Sequence, residues 1–188
     1  MNENGGRHVH HHGHHWGEDP TAFLLSLGIR SGMNVADLGS GTGFYTIPIA
    51  SMVRPGGNVY AVDADKGSLA ILKERADKEK ALNVRVILSN IERLPFRSGT
   101  IDLVFLANVF HDIQDRKNFL SELKRVLKSS GLVVDFDWSD VSTIFGPPLS
   151  IRISEREARE EFANAGFEES SSMTVEGHHY ALILKPSL

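Results

Sequence analysis

Apolar runs alternate with amphipathic segments along most of the chain. Five short apolar runs predict strands: Met33–Leu38, Asn58–Val62, Val84–Leu88, Ile101–Leu106 and Leu132–Trp138. Segments with helical spacing separate most of them: Phe44–Val53, Lys66–Ala81, and Arg116–Lys128 followed by a stop at Gly131. Since strands such as Ile101–Leu106 are apolar on both faces, the pattern predicts a parallel sheet covered by helices on both sides.

The C-terminal quarter has a different pattern. Ser154 and Glu157 form a capping box that predicts a helix from Ser154 to Ala165, closed by Gly166. Two strands, Phe167–Val175 and Tyr180–Leu184, follow closely with a turn near Gly177. Because no helix separates them, one of the two is expected to run antiparallel to the rest of the sheet.

The first 18 residues are polar and predict a tail that does not contribute to a core. Six histidines lie within residues 8–15. A cloning-derived tag, a native tail and a metal site or lid are three open interpretations, since imidazole is a ligand for Zn, Cu and Ni. The folded domain is predicted to span residues 19–188, starting with Asp19 as N-cap and Pro20 in the first helical position.

Composition limits the classes of function. A length of 188 residues with 41% hydrophobic residues predicts one globular domain. Cysteine is absent, which excludes disulfides, thiolate metal sites and cysteine nucleophiles. The net charge of −4 makes a nucleic-acid partner unexpected. No apolar run reaches membrane-spanning length, so we expect a cytoplasmic protein without a membrane partner.

The segment from Asp37 to Gly43 (DLGSGTG) carries the clearest chemical signal. It follows a strand and opens a helix, the position at which open α/β sheets bind ligands. Its spacing is G-x-G-x-G, not the G-x-G-x-x-G of dinucleotide sites, and the Asp37 carboxylate would repel a pyrophosphate but attract an ammonium group. Asp63, which follows the second strand, is placed to accept hydrogen bonds from ribose hydroxyls. Ribose and an amino-acid ammonium without a pyrophosphate describe S-adenosylmethionine.

These residues resemble the class I S-adenosylmethionine-dependent methyltransferases, and the resemblance extends over residues 19–185. Further matching segments are Asn90–Phe96 (the family's D-x-x-x-LPF loop), Ile101–Val104 (its fourth strand), Glu122–Gly131 (RVLKPGG) and residues 155–167 (LLxxAGF). The nearest subgroup is the small-molecule type related to ubiquinone and menaquinone biosynthesis. The resemblance implies an α/β, three-layer Rossmann-like fold with a seven-stranded, mostly parallel sheet in the order 3-2-1-4-5-7-6, strand 7 being antiparallel.

The resemblance also implies residue roles on the donor side. Asp37 and Gly39, with Ser40 in the same turn, would face the methionine end, and Gly41 and Gly43 would form the floor. Asp63 would hold the ribose. The adenine would meet Ala64, the side chain of Asn90 and the backbone N–H of Ile91, while Ala107 would lie close to the donor. Two alternatives stay open: Asp63 as the N-cap of the next helix, and Asn90 as an ordinary turn residue.

The acceptor side is defined less well. His111, in Phe110-His111-Asp112 just after the fourth strand, has the right type for a catalytic base, because its unperturbed pKa lies near ~6.5. The stretch resembles the His-Asp pair of plant-type O-methyltransferases. Alternatively, it is a structural turn in which Asp112 caps the next helix. Residues 107–110 lack the Asn/Asp-Pro-Pro-aromatic motif of base-amino methyltransferases. Trp138–Ser150 is either a wall of the acceptor pocket or a plain connection.

The expected function is methyl transfer from S-adenosylmethionine to a small-molecule acceptor by a monomer or homodimer, with no assigned metal ligand. An aminopropyltransferase on the same fold, and a metal-binding or regulatory module that uses the histidine-rich tail, are the alternatives. A nucleotide-dependent oxidoreductase is disfavoured by the charge of Asp37.

Overall fold

The computed structural model describes residues 20–187. The five helices of this part of the chain are α1 Thr21–Ser26, α2 Thr46–Met52, α3 Lys66–Lys78, α4 Arg116–Val126 and α5 Glu155–Asn164. Its seven strands are β1 Asn34–Leu38, β2 Asn58–Asp63, β3 Val84–Leu88, β4 Ile101–Ala107, β5 Leu127–Trp138, β6 Phe167–Val175 and β7 His179–Pro186. Short 3₁₀ turns lie at Phe110–Asp112 and Leu149–Ile151.

The seven strands form one sheet in the order β3-β2-β1-β4-β5-β7-β6. Strands β1 to β5 pair in parallel, and β7 runs antiparallel to both β5 and β6. The predicted strand order, the antiparallel β7 and the fold class are therefore confirmed.

Two large hydrophobic clusters lie on the two faces of the sheet. Phe105 and Leu106 are consecutive in β4 and belong to opposite clusters, because side chains alternate between the faces of a strand. The Leu106 cluster includes Phe119 of α4 and Phe162 of α5, and the Phe105 cluster includes Ile49 of α2. Helices thus cover both faces, as the doubly apolar strands predicted.

The boundary between α4 and β5 differs from the prediction. The helix was expected to continue to Lys128 and to stop at Gly131, but Leu127 is already extended, with φ −68° and ψ 142°. It pairs with Ile101, and the register then shifts before Leu103 pairs with Leu132. The sequence Leu127–Gly131 lacks strand alternation, so only its pairing with the start of β4 shows that it is a strand.

Helix ends follow local capping chemistry. Ser154 and Glu157 form the predicted capping box at the start of α5. Pro20 occupies the N-cap position of α1, one residue earlier in the helix than predicted, whereas Asp19 lies outside the described residues. Helix α3 ends at Lys78, and Lys80 has a left-handed φ of 52°, so the predicted extension to Ala81 is wrong.

The part of the chain that the structure describes shows neither a membrane-spanning helix nor a cluster of metal ligands. Within residues 20–187 no helix is both long and apolar enough to cross a bilayer. The same residues contain no group of three or more histidine or acidic side chains that could hold a metal ion. The histidine-rich segment of residues 8–15 lies outside this part of the chain.

Candidate active site

The carboxyl ends of the central strands bring the predicted donor residues to one edge of the sheet. Leu38 is in register with Val62, and Asp63 with Leu88. Ala107, the last residue of β4, is in register with Phe136 of β5. The glycine turn after β1, Asp63 at the end of β2, and the segments after β3 and β4 therefore share this edge.

Backbone hydrogen bonds hold the glycine turn against β2. The N–H groups of Gly39 and Ser40 both donate to the carbonyl of Val62, at 2.8 and 3.1 Å. The Gly41 N–H donates to Asp63 Oδ2 at 2.8 Å. The predicted ribose-binding carboxylate and the predicted floor of the site are thus in direct contact.

The three glycines of the turn differ in the space around them. A side chain at Gly39 would come within 2.4 Å of Val109, and one at Gly43 within 2.8 Å of Leu72, so both positions are closely packed against protein. A side chain at Gly41 would meet no protein atom within 4 Å. Gly41 therefore faces open space, whereas packing against α3 is sufficient reason for a glycine at position 43.

We expect Gly39→Ala to act mainly on stability and Gly41→Ala mainly on donor binding. Gly39→Ala combines a left-handed φ of 73° with a clash against Val109 and should cost about 3 kcal/mol of unfolding free energy. Gly41→Ala, at φ 52° and without a clash, should cost about 1 kcal/mol but weaken donor binding. Urea unfolding and donor titration of both variants check this. Equal losses of stability would contradict the packing account.

Asp37 lies in β1, one residue before the strand ends, and is 2% exposed. The Thr46 hydroxyl, at the start of α2, donates to Asp37 Oδ2 at 2.5 Å. Burial raises the pKa of the Asp37 carboxyl to about 7; the bond from Thr46 opposes this effect, and the charge of Asp63 adds to it. A cation near Asp37 would favour its ionised form, as expected for the binding site of an ammonium or sulfonium group.

The Asp63 carboxylate accepts backbone hydrogen bonds from the glycine turn and from the loop after β2. Its Oδ1 accepts from the Asp65 N–H at 2.8 Å, while Oδ2 accepts from Gly41. Asp65, not Asp63, is the N-cap of α3, since its side chain accepts from the N–H groups of Gly67 and Ser68. A carboxylate has about four acceptor positions, so Asp63 retains capacity for two ribose hydroxyls.

The remaining predicted donor residues lie around this edge. Ala64 and Asn90 are exposed, and Ala107 is half-buried. Ile91 is partly buried against the hydrophobic cluster of α4. The Asn90 side-chain oxygen accepts from the Glu92 N–H at 3.0 Å, which is the local turn geometry of the alternative interpretation. Its role toward adenine stays a prediction.

Two buried polar atoms at this edge have no hydrogen-bond partner among the described residues. They are Ser40 Oγ in the glycine turn and Asn108 Oδ1 directly after β4. Asn108 is 6% exposed and has a left-handed φ of 57°. Since buried polar groups are normally bonded, both atoms have capacity for a polar ligand, so this edge is suited to the methionine end of S-adenosylmethionine. The sequence prediction missed Asn108, although asparagine between a strand and a turn is a signal of left-handed backbone.

His111 forms a buried pair with Asp137, a residue that the sequence prediction missed. His111 Nδ1 lies 2.7 Å from Asp137 Oδ1, and the two side chains are 2% and 1% exposed. The His111 backbone N–H donates to Asp137 Oδ2 at 3.1 Å. Burial lowers the pKa of His111, but the hydrogen bond and charge of Asp137, together with Asp112, raise it more, so the net pKa is above its ordinary value.

The other ring nitrogen of His111 faces Asp112. Nε2 lies 3.6 Å from Asp112 Oδ1, and the Asp112 side chain is 55% exposed. Asp115, not Asp112, caps α4, through a bond from the Asn118 N–H. The alternative role of Asp112 as a helix cap is therefore wrong.

A second buried acid lies two residues before Asp137 on the same strand. Asp135 is 0% exposed, beside Tyr180 of β7. Burial, and then the charge of Asp137, raise the pKa of Asp135 well above its ordinary value. Asp137 is thus paired with His111, whereas the raised pKa of Asp135 favours the neutral form of that neighbouring acid.

Comparison with known proteins identifies the family. A model of the methyltransferase domain family matches residues 36–135. A demethylmenaquinone methyltransferase of Geobacillus is 30% identical over 129 residues, which are 69% of this chain and 54% of that protein. A ubiquinone/menaquinone biosynthesis C-methyltransferase of Ectopseudomonas mendocina is 35% identical over 61% of this chain and 46% of that protein. The chain thus spans about half the length of these curated relatives.

Solved structures agree with this assignment. The crystal structure of a SAM dependent methyltransferase from Aquifex aeolicus has a TM-score of 0.84 and 31% identity, covering 88% of both chains. The chain belongs to the methyltransferase domain family. The resemblance read from the sequence motifs is confirmed, and with it the expectation of an enzyme whose cofactor is S-adenosylmethionine.

Proposed function

We propose that this chain transfers a methyl group from S-adenosylmethionine to a small-molecule acceptor, at the edge formed by the turns after β1, β2 and β4. The observation that carries the proposal is the open space at Gly41, whose N–H bonds to Asp63, in the turn that follows the buried Asp37 carboxyl of β1. When bound, S-adenosylmethionine supplies a methyl group already activated by its sulfonium.

On the donor side, the residues of this chain bind and orient. Asp37, Gly39 and the Ser40 hydroxyl hold the methionine end, and the Gly41 backbone leaves room for the ligand. Asp63 accepts the ribose hydroxyls. Asn90, Ile91 and Ala64 surround the adenine, and Ala107 lies close to the donor. Gly43 belongs to the floor with Gly41, where it lets the turn pack against Leu72 of α3. In-line transfer depends on this positioning, because the donor needs no further activation.

On the acceptor side, His111 acts as the base. Asp137 fixes the proton on Nδ1, which leaves Nε2 to accept a proton from the acceptor. The His111 side chain is only 2% exposed, and its Nε2 faces the 55% exposed Asp112, so the acceptor is proposed to approach from the Asp112 side. The names of the relatives make demethylmenaquinone the first acceptor to assay.

The proposal includes the setting of the enzyme. We place it in the cytoplasm as a monomer or homodimer without a nucleic-acid partner. A net charge of −4 and the lack of cysteine support this setting. The domain is residues 19–188, and residues 1–18 form a tail that donor binding does not require.

An Asp63→Ala variant tests the donor site. Loss of the ribose contacts should weaken S-adenosylmethionine binding roughly tenfold or more, since hydrogen bonds to charged groups contribute about 1.5–3 kcal/mol. Isothermal titration gives the dissociation constant. Asp65→Ala is the matched control, because it removes the cap of α3 two residues away and should reduce stability while affinity is retained. Unchanged affinity in Asp63→Ala would show that the ribose assignment is wrong.

A further inference from the structure

The connection between β5 and α5 exposes an unusual number of apolar side chains. We call residues 139–151 the strap. Within it, Val141 is 49% exposed, Ile144 103%, Leu149 48% and Ile151 39%. No charged residue occurs from Val141 to Ile151. Exposed aliphatic side chains are ordinary when scattered, but four of them within eleven uncharged residues indicate a contact surface.

One buried arginine satisfies the backbone of the strap from inside. Arg152 is 8% exposed, and its guanidinium stacks 4.8 Å from the centre of the Trp138 ring. Its N–H groups donate to strap oxygens: Pro147 O at 2.8 Å, Val141 O at 2.7 Å, Ser139 O at 3.3 Å, Phe145 O at 3.1 Å and Thr143 Oγ1 at 2.6 Å. The strap thus turns five oxygens toward Arg152, while its exposed side chains from Val141 to Ile151 are uncharged, with Ser142 and Ser150 beside the aliphatic ones.

If the strap were placed in a low-dielectric surrounding, its oxygens would need hydrogen bonds of the kind that Arg152 donates. Backbone carbonyls of an ordinary surface loop bond to water, and losing that water in an apolar surrounding costs several kcal/mol for each unsatisfied group. Since Arg152 already bonds four carbonyls and a hydroxyl, these five oxygens can leave water with little further penalty. A loop that stays in water needs neither these internal bonds nor an exterior without charges.

Charge and size favour a lipid surface over a second copy of the chain. Four exposed aliphatic side chains present far less than the roughly 800 Å² per partner of a standard protein interface. A fluid lipid surface accepts such a small insertion, as amphipathic anchors show. Residues 141–151 are uncharged, and the charged residue of the strap, Asp140, is acidic, as is the chain as a whole with its net charge of −4. Attraction to anionic lipids is therefore not expected, and the fit is to zwitterionic headgroups.

We propose that the strap inserts its apolar side chains into the surface of a zwitterionic phospholipid bilayer. Such a contact is peripheral and needs no membrane-spanning helix. It differs from the expectation in the sequence analysis that the protein has no membrane partner. The strap begins directly after Asp137 and Trp138, so it borders the acceptor side of the site. An apolar acceptor dissolved in the bilayer would then enter beside His111.

The absence of cysteine allows a single-site test. Ile144→Cys, labelled with an environment-sensitive fluorophore, is titrated with phosphatidylcholine vesicles. We expect a saturable, salt-insensitive blue shift of the emission. Leu82→Cys is the matched control, since Leu82 is an 80% exposed aliphatic residue between α3 and β3, outside the strap, and its label should not respond.

A second measurement is made without a label. The double variant Ile144→Ser and Leu149→Ser should lower flotation with the same vesicles by roughly tenfold or more, because each substitution removes an inserted aliphatic side chain. An unchanged Ile144 label, or an equal response at position 82, overturns the proposal. So does a shift that follows protein concentration and not lipid, which would indicate a second copy. Titration of the same samples with S-adenosylmethionine tests the proposed function separately.

Discussion

We expect the His111→Ala variant to lose roughly a hundredfold to ten-thousandfold in kcat while it binds S-adenosylmethionine as tightly as the wild type. The range is the usual contribution of a positioned general base. Donor affinity is retained because His111 lies after β4 and contacts Asp137 of β5, not the glycine turn. The check is steady-state methyl transfer to demethylmenaquinone together with calorimetric donor titration. Turnover equal to wild type would reduce His111 to a structural turn residue.

Two variants of buried aspartates on β5, Asp137→Asn and Asp135→Asn, also test whether His111 acts as the base. Asp137→Asn should lower kcat strongly, because an amide no longer fixes the His111 tautomer or stabilises its charged form. Asp135→Asn should retain turnover, since Asp135 favours its neutral form and asparagine is close to it in shape and charge. Equal loss in both variants would indicate a general effect of strand burial. In the wild type, kcat should rise with pH through a His111 pKa above 6.5.

The second large effect is a pH dependence of donor binding through Asp37. The pKa of this carboxyl is about 7 in the folded protein against 3.8 for the free group. Below pH 7 a cationic donor must displace a proton, so affinity should fall up to tenfold per pH unit, roughly thirtyfold in total at pH 5.5. Dissociation constants measured from pH 5.5 to 8.5 check this expectation.

Ionisation of Asp37 changes the stability of the fold in the opposite direction to donor affinity: stability falls as the pH rises. The folded chain keeps the Asp37 proton at pH values where the unfolded chain has released it, so this contribution to stability is complete below about pH 4 and is lost as pH rises through 7. Asp37→Asn should bind the donor weakly, with an affinity nearly independent of pH. A flat profile for the wild-type protein would show that no charge of the ligand lies near Asp37.

Local sequence patterns were sufficient for most of the fold. Alternating apolar runs located the strands, and Ser154 with Glu157 located the start of α5, since these signals act within a few residues. The sheet order came from the family resemblance. The start of β5 was missed because Leu127–Gly131 becomes a strand only through pairing with β4.

Part of the site could be predicted from the sequence for the same reason. Gly39, Gly41 and Asp63 could be identified from spacing, because the turn and the acid follow strands directly. Asp137 could not, since an aspartate within an apolar strand becomes informative only when β5 places it 2.7 Å from His111, 26 residues earlier. The hydrogen bond from the buried Thr46 to Asp37 is likewise a result of packing.

The most direct test of the account is a calorimetric titration of the unmodified protein with S-adenosylmethionine and S-adenosylhomocysteine, repeated after chelation. The account predicts saturable binding of both ligands with one site per chain, unaffected by the chelator, and no comparable affinity for NAD. A lack of binding, or binding that requires metal, would contradict a donor site at the glycine turn and would shift attention to the histidine-rich tail.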